Sequence, residues 1–297
     1  MNLLRKLYLT LLAQGRYPLN RKSKIRAAWD FSLAQVAARL VPGEVCVPFP
    51  NGTKLLIPPQ MKGAAHFIYP GLCEFEEMGF LLHFLRPADL FVDIGANIGA
   101  YTVLAGGAVG SRVVCFEPAP ATFRSLVSNL QLNGLGDRAA AHNLALGKAE
   151  GELKFTEGLG TENRVQLSGS DTKTVTVKVS SLDRILGDSQ PALLKIDVEG
   201  FETEVMRGAR ATLAKDSFQA MIIEKNGGGT QYGFDEAALH QEIRKFGFQP
   251  CAYSPLDRTL RHAPDDSEGN LIYVKNFEAA VRRLKEAPPF RYQGLSI

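Results

Sequence analysis

The sequence predicts an α/β fold built on a mostly parallel sheet, and three observations carry that expectation. From Leu90 onward, short apolar runs alternate with glycine turns and helical patterns. Gly95-Ala-Asn-Ile-Gly99 follows the first of these runs and opens a helix. The chain has 297 residues, 45% hydrophobic and 22% charged, which suits one elaborated globular domain.

Residues 1–60 read as a helical extension followed by a β-hairpin. Ala27, Ala28, Phe31, Leu33, Val36 and Leu40 give residues 1–44 an apolar stripe. Val45–Phe49 and Lys54–Ile57 flank Asn51-Gly52, a pair in which both positions tolerate positive φ. Pro58-Pro59 stops the second strand.

Residues 61–280 read as the main domain. A helix is expected within 60–88, ending near Pro87. Strand Leu90–Ile94 leads through the glycine turn to a helix over Tyr101–Ala108. Strand Arg112–Phe116, helix Pro120–Asn133 and a third strand near Ala139–Leu146 follow. Alternation of this kind predicts parallel strands joined by right-handed crossovers.

Residues 151–180 break the rhythm. Glu152–Thr156 and Lys173–Val179 alternate as paired strands around a polar, Gly/Ser-rich stretch. This predicts a hairpin insertion with a mobile tip, placed to act as a lid over an acceptor. The main pattern resumes with Ala192–Val198, a helix over Phe201–Leu213, strand Gln219–Glu224 and helix Glu236–Phe246. Phe248–Tyr253 and Leu271–Val274 have no crossover helix between them, which predicts an antiparallel strand at the sheet edge. Residues 281–297 read as a C-terminal tail.

The net charge of +3 conceals an asymmetry. Residues 1–29 carry seven basic side chains and no acid, so the rest of the chain is mildly acidic. A basic groove for nucleic acid is not what the main body offers. Leucines surround Arg5 and Lys6 near the start, without the cleavage signature of a secretory leader. A helix packed on the domain is the favoured reading of residues 1–26. Peripheral membrane contact through a basic amphipathic face is the alternative. No run of about 18 apolar residues marks a spanning helix. Cys46, Cys73, Cys115 and Cys251 lie far apart without a CxxC pair, as in a reducing compartment, so a cytoplasmic protein is expected.

Asp93-Ile-Gly-Ala-Asn-Ile-Gly99 is the sharpest motif. Glycine there permits a tight turn and lets a ligand approach the backbone. Glu117, at the next strand end, lies where a carboxylate can accept hydrogen bonds from both ribose hydroxyls of an adenosine. Laying the dinucleotide pattern on Gly95 puts Asn97 at the middle glycine, which obstructs a pyrophosphate. S-adenosylmethionine has no pyrophosphate, so the turn favours a methyl donor over a nicotinamide.

Several ordered motifs then resemble one family. Phe91-Val-Asp-Ile-Gly-Ala-Asn-Ile-Gly99, Phe116-Glu-Pro118, Asn129-Leu-Gln-Leu-Asn133, Ser181-Leu-Asp183, Leu194-Lys-Ile-Asp-Val-Glu-Gly-Phe-Glu202 and Ile222-Ile-Glu224 are similar to the FkbM methyltransferases. The resemblance covers roughly Gly71 to Val274. It implies a Rossmann-like class I methyltransferase fold, with a seven-stranded, mostly parallel sheet and one antiparallel strand. It also implies O-methylation of a small molecule or glycan, such as a sugar or polyketide hydroxyl. By that likeness Asp93, Gly95, Ala96, Asn97, Gly99, Glu117 and Pro118 hold the cofactor. Asn143 to Ala145 lie near adenine, and Glu74 matches an acidic position upstream. The family often has an aromatic residue before that acid, where this chain has Cys73.

A hydroxyl acceptor must lose a proton, so a base or electrostatic help is needed. Ligands of open α/β sheets sit outside the carboxyl ends of the strands, where Lys195, Asp197 and Glu199 follow one another at a spacing of two. Asp197 is the first choice for acceptor or cofactor contact, with a structural ion pair to Lys195 as the alternative. Glu199 and Glu224 are further catalytic candidates. These acids could hold a divalent metal, but no histidine is spaced with them, so a metal is not favoured. His142 is a minor candidate beside the third strand. Base-amine methylation of nucleic acid is disfavoured: its Asn/Asp-Pro-Pro-aromatic motif is absent where Lys195-Ile-Asp-Val-Glu-Gly200 stands.

Overall fold

Parallel strands covered on both faces read as near-continuous apolar runs, and Leu90–Ile94, apolar but for Asp93, is buried at all five positions. In the computed structural model, which describes residues 43–58, 72–156, 163–166, 173–264, 269–292 and 294–297, it is a central strand of an eight-stranded sheet. In chain order the elements are β1 (Val45–Pro48), β2 (Lys54–Ile57), α1 (Phe75–Phe84) and β3 (Leu90–Ile94). Next come α2 (Ala100–Val103), extended by a π-turn over Leu104–Val109, then β4 (Arg112–Phe116), α3 (Pro120–Leu132) and β5 (Ala139–His142). β6 (Ala145–Leu146) follows, and the insertion supplies β7 (Gly151–Thr156) and β8 (Thr174–Ser180). Then follow α4 (Leu182–Leu186), β9 (Leu193–Ile196), α5 (Glu202–Arg207), α6 (Arg210–Ala214) and β10 (Ala220–Lys225). The chain closes with α7 (Glu236–Lys245), β11 (Gln249–Ser254), β12 (Thr259–His262), β13 (Gly269–Val274), α8 (Phe277–Lys285), β14 (Arg291–Tyr292) and β15 (Leu295–Ser296).

The large sheet runs β12-β11-β13-β10-β9-β3-β4-β5. β5, β4, β3, β9 and β10 are mutually parallel. This is the Rossmann-like class I methyltransferase arrangement that the motifs imply. Neighbouring residues along β3 enter opposite cores: Phe91 joins α1, α2 and α8, while Val92 joins α5, α6 and α7.

Two expectations about the sheet need correction. It has eight strands, because Thr259–His262 adds β12 outside β11. The antiparallel β13 lies between β10 and β11, pairing with both, and not at the edge. Its apolar Leu271–Val274 is fully buried there, a gain that an edge position does not offer.

The hairpin insertion is present: β7 and β8 pair antiparallel and β6 joins them as a third strand. Its tip lies outside the described residues, apart from residues 163–166. So do residues 1–42, including the basic segment 1–26, and residues 59–71 of the expected helix over 60–88. Among the described residues, no helix is long and apolar enough to cross a membrane.

The expected helix over Phe201–Leu213 is two short helices. Asp183 explains the break, because its carboxylate accepts from the backbone N–H groups of Ala211 and Thr212, at 2.9 and 2.7 Å, and so starts α6 afresh. Asn129 and Asn133 act similarly on α3. Asn129 bonds both backbone groups of Leu56 and donates to the Ile98 carbonyl at 2.8 Å. Asn133, one turn on, bonds both backbone groups of Lys54. One helix face thus finishes the edge of β2 and ties the first hairpin to the cofactor turn.

Residues 281–297 are not a loose tail. Leu284, Phe290 and Tyr292 are buried, and Phe290 and Ile297 exchange two backbone hydrogen bonds. His83 bridges Tyr253 Oη at 2.6 Å and the Ile297 carbonyl at 3.2 Å. Burial pushes its imidazole down to about 4, so the bridge is made by a neutral ring.

Candidate active site

The carboxyl ends of β3, β4, β9 and β10 open into a cavity of about 480 Å³, within the range of small-molecule sites. Glu74, Asp93, Gly95, Ala96, Asn97, Glu117, Pro118, Ala145, Lys195, Asp197, Glu199 and Glu224 all line it. Gly99 and Asn143 do not. Gly99 takes φ +91, and a Cβ there would meet Leu126 at 2.6 Å, so its task is packing α2 on α3. Asn143 donates to the Glu117 and Pro118 carbonyls, at 2.8 and 3.0 Å, and shapes the strand end from behind. His142 stacks on Phe116 and stays out of the cavity.

The turn after β3 is held by backbone. Gly95 and Ala96 N–H groups both donate to the Phe116 carbonyl. Gly95 has φ +78, and a Cβ on it would fall 1.8 Å from the Asp197 carbonyl oxygen; no other residue fits. Asn97 adopts φ 52, a left-handed conformation that asparagine tolerates better than most residues. In it, the Asn97 N–H donates to Glu117 Oε2 at 3.0 Å, while Glu117 Oε1 accepts from Ala119 N–H at 2.9 Å. Burial pushes the Glu117 carboxyl up to about 7, against the pull of these two bonds.

Asp93 is 1% exposed. Its Oδ2 accepts from Thr102 at 2.6 Å, while its Oδ1 is buried with no hydrogen-bond partner. Burial raises it to about 6, despite the neighbouring Lys195 ammonium. A buried carboxylate oxygen left unpaired in a ligand-sized cavity is the mark of a site awaiting a donor.

Across from it, Lys195 Nζ lies 2.6 Å from Asp197 Oδ2 and 4.8 Å from the centroid of the Tyr101 ring. Tyr101 Oη in turn donates to Glu74 Oε2 at 2.5 Å. Burial alone would lower the Lys195 pKa, but Asp197, Glu74 and Asp93 outweigh it and hold the ammonium above its ordinary value. Asp197 therefore forms the ion pair with Lys195 that was its alternative role, and it also lines the cavity.

Strand β9 ends at Ile196, so Glu199 arrives on a turn, with φ 54. Buried Glu202 shapes that turn by accepting from the Val198 and Gly200 N–H groups, each at 3.2 Å. Asp197, Glu199 and Glu224 bring carboxylate oxygens within 4.8 Å of one another, in geometry alone close enough to hold a cation. Burial, then the charges of Asp197 and Glu199, push Glu224 up to about 9, and its Oε2 is buried without a partner.

Sequence reasoning missed several lining side chains, among them Tyr101, Phe155, Val165 and Phe201. Cys73 does lie in the wall where an aromatic residue was expected, and Tyr101 supplies an aromatic ring from α2 instead.

The model of the methyltransferase FkbM domain matches residues 93–250, over half of the chain, and the chain belongs to that family. Methyltransferase 1 of Beauveria bassiana is 32% identical over 148 residues, covering 41% of this chain and 59% of that protein. The hexuronic acid methyltransferase AglP of Haloferax volcanii is 29% identical over 186 residues, covering 58% of this chain and 72% of its own. The 31-O-demethyl-FK506 methyltransferase FkbM of Streptomyces tacrolimicus is 29% identical over 181 residues, with 49% and 69% covered. Among solved structures, TrmK from M. capricolum, in complex with S-adenosyl-homocysteine, aligns at a TM-score of 0.38 and 10% identity, covering 67% of this chain and 68% of its own.

Proposed function

We propose that the protein is an S-adenosylmethionine-dependent O-methyltransferase whose acceptor is a hydroxyl of a small molecule or glycan. The observation that carries this is the pairing, in one cavity, of a backbone-floored turn with a Lys195–Asp197 ion pair 2.6 Å long. Family membership supports the reaction class, and the names of the two O- and sugar-acid-directed relatives support the acceptor class.

Each residue has a task that its surroundings fit. Gly95 and Ala96 leave the floor open for the adenosyl group. Glu117 keeps a free lone pair on each carboxylate oxygen for the ribose hydroxyls. The unpaired Oδ1 of Asp93 suits a cationic or N–H-bearing group. S-adenosylmethionine, held by the Gly95–Asn97 turn, Glu117 and Asp93, would supply a methyl group on a sulfonium to the acceptor oxygen, with the C–S electron pair left on sulfur. Lys195, held as an ammonium, cannot take the acceptor proton. Asp197 can, and from there the proton passes to solvent. Lys195 orients Asp197 and limits the charge accumulated among the carboxylates.

Calorimetry with S-adenosylmethionine and with NAD, followed by a labelled-methyl screen over hydroxylated acceptors, tests the reading. The methyl donor is expected to bind, and Glu117→Ala to weaken it at least about tenfold for the lost ribose contacts. Binding of NAD in its place, or transfer to no hydroxylated acceptor by the donor-loaded protein, overturns the proposal.

A further inference from the structure

The cavity carries two kinds of lining beyond the cofactor turn, and their chemistry bears on which hydroxylated acceptor fits. This inference rests on the methyl-transfer reading above. One part is apolar and firmly held. Phe155 and Val165 of the insertion pack with Phe201, which meets Tyr232 edge-on at 5.5 Å. Tyr232 Oη donates to the Val165 carbonyl at 2.7 Å, so the 228–232 turn is fastened to the insertion. The other part is the cluster Asp197, Glu199 and Glu224. Carboxylates accept hydrogen bonds and, when ionised, donate none.

An apolar surface beside clustered acceptors suits a ring with a C–H face and hydroxyls around its edge. It does not suit an anion. Among the described lining residues Lys195 is the one cation, and Asp197 already engages it. An acceptor carboxylate would enter a region where three carboxylates stand within 4.8 Å and would leave water to do so. The raised proton affinity of Glu224 reports the same crowding: the cluster already sheds negative charge.

We infer that the acceptor is an uncharged hydroxylated ring, of the neutral glycoside type, and that the Asp197–Glu199–Glu224 cluster rejects rings bearing a carboxylate. The relative from Haloferax volcanii, named for a hexuronic acid, would then differ from this protein in acceptor charge. Uncharged hydroxyls donate to the cluster; a uronate repels it.

The test uses matched pairs of aryl glycosides, hexoside and hexuronide, in gluco, galacto and manno configuration. Each pair differs only at C6, and transfer of labelled methyl from S-adenosylmethionine by the full chain is measured as kcat/KM. In the best-accepted configuration the neutral member is expected to exceed its uronate by at least about tenfold, near 1.4 kcal/mol. Glu199→Gln is expected to narrow that ratio whatever it does to the absolute rate, because it removes charge and keeps shape. A uronate accepted as well as its neutral partner, or a ratio unchanged in Glu199→Gln, overturns charge selection and leaves methyl transfer standing. A donor-loaded protein that methylates no hydroxylated compound sinks both.

Discussion

The two halves of the cavity are built on opposite principles. The turn at 93–99 is closed largely by backbone: Gly95 and Ala96 direct their N–H groups to the Phe116 carbonyl at the end of β4, and the Glu117 carboxylate accepts from the Asn97 and Ala119 amides, one on each oxygen. The region at 195–224 is closed by charge: one ammonium stands among acids, and Glu224 keeps an oxygen buried without a partner. A backbone-held turn has one shape and fits one kind of ligand. A charge-held cluster can exchange protons and partners, and it carries the cost of doing so as reduced stability. On the proposed function, rigidity sits with the donor, and electrostatic tension with the chemistry.

That contrast can be broken at several points, in order of expected size. Gly95→Ala should do most damage, since its new Cβ would collide with backbone and not with a movable side chain. Donor affinity measured by calorimetry should fall by roughly a hundredfold or more, with circular dichroism checking that the fold survives. Retained affinity would show that the turn is not closed by backbone. Asp197→Asn should lower kcat by about a hundredfold or more while donor Kd stays within about threefold, because it removes the proton acceptor and leaves the turn alone. Equal losses in kcat and donor affinity would erase the division of labour.

Proton linkage probes the same contrast more gently. Glu117 must be ionised to accept from both ribose hydroxyls, and its carboxyl is raised to about 7. Donor affinity should therefore weaken as pH falls from 8 to 6, and that slope should vanish in Glu117→Gln. For stability the sign runs the other way. Glu224 is raised to about 9 from an ordinary 4.5. The folded state thus binds a proton that the unfolded state has lost, and the stability this provides, full below pH 4.5, disappears as pH rises through 9. Glu224→Gln removes that dependence. Its Tm should exceed that of the parent by about 2 °C or more at pH 8, with a smaller difference at pH 5. A variant less stable at pH 8 would mean that Glu224 is ionised and well partnered.

Legibility followed the same divide. The turn at 93–99 was readable because positive φ and a close backbone approach admit few residue types, and glycine followed by asparagine narrows them further. Strands β3, β4, β9 and β10 were readable because strands covered on both faces are mostly apolar, with few charged positions among them. Asp197 was readable as a candidate, but its partner through space was one of two alternatives, and the coordinates join them. Tyr101 was unreadable as a site residue, since nothing in a helical stretch marks the side chain that will lie under an ammonium from β9. Asn143 was readable only as a residue near the strand end; the direction of its amide, toward the Glu117 and Pro118 carbonyls, was not.

The order of the alternating segments, the glycine turn after β3 and the acids that follow one strand end are properties of the sequence itself. They follow from local rules: which residues can adopt a positive φ, and how often apolar side chains must recur along an element. Pairing between distant segments is a different matter. The seat of β13 between β10 and β11, the docking of 281–297 beneath His83, and the mutual approach of Asp197, Glu199 and Glu224 each depend on which buried surfaces and charges meet after the chain has closed. That outcome is set by competition among packings of the whole molecule, which no local pattern records.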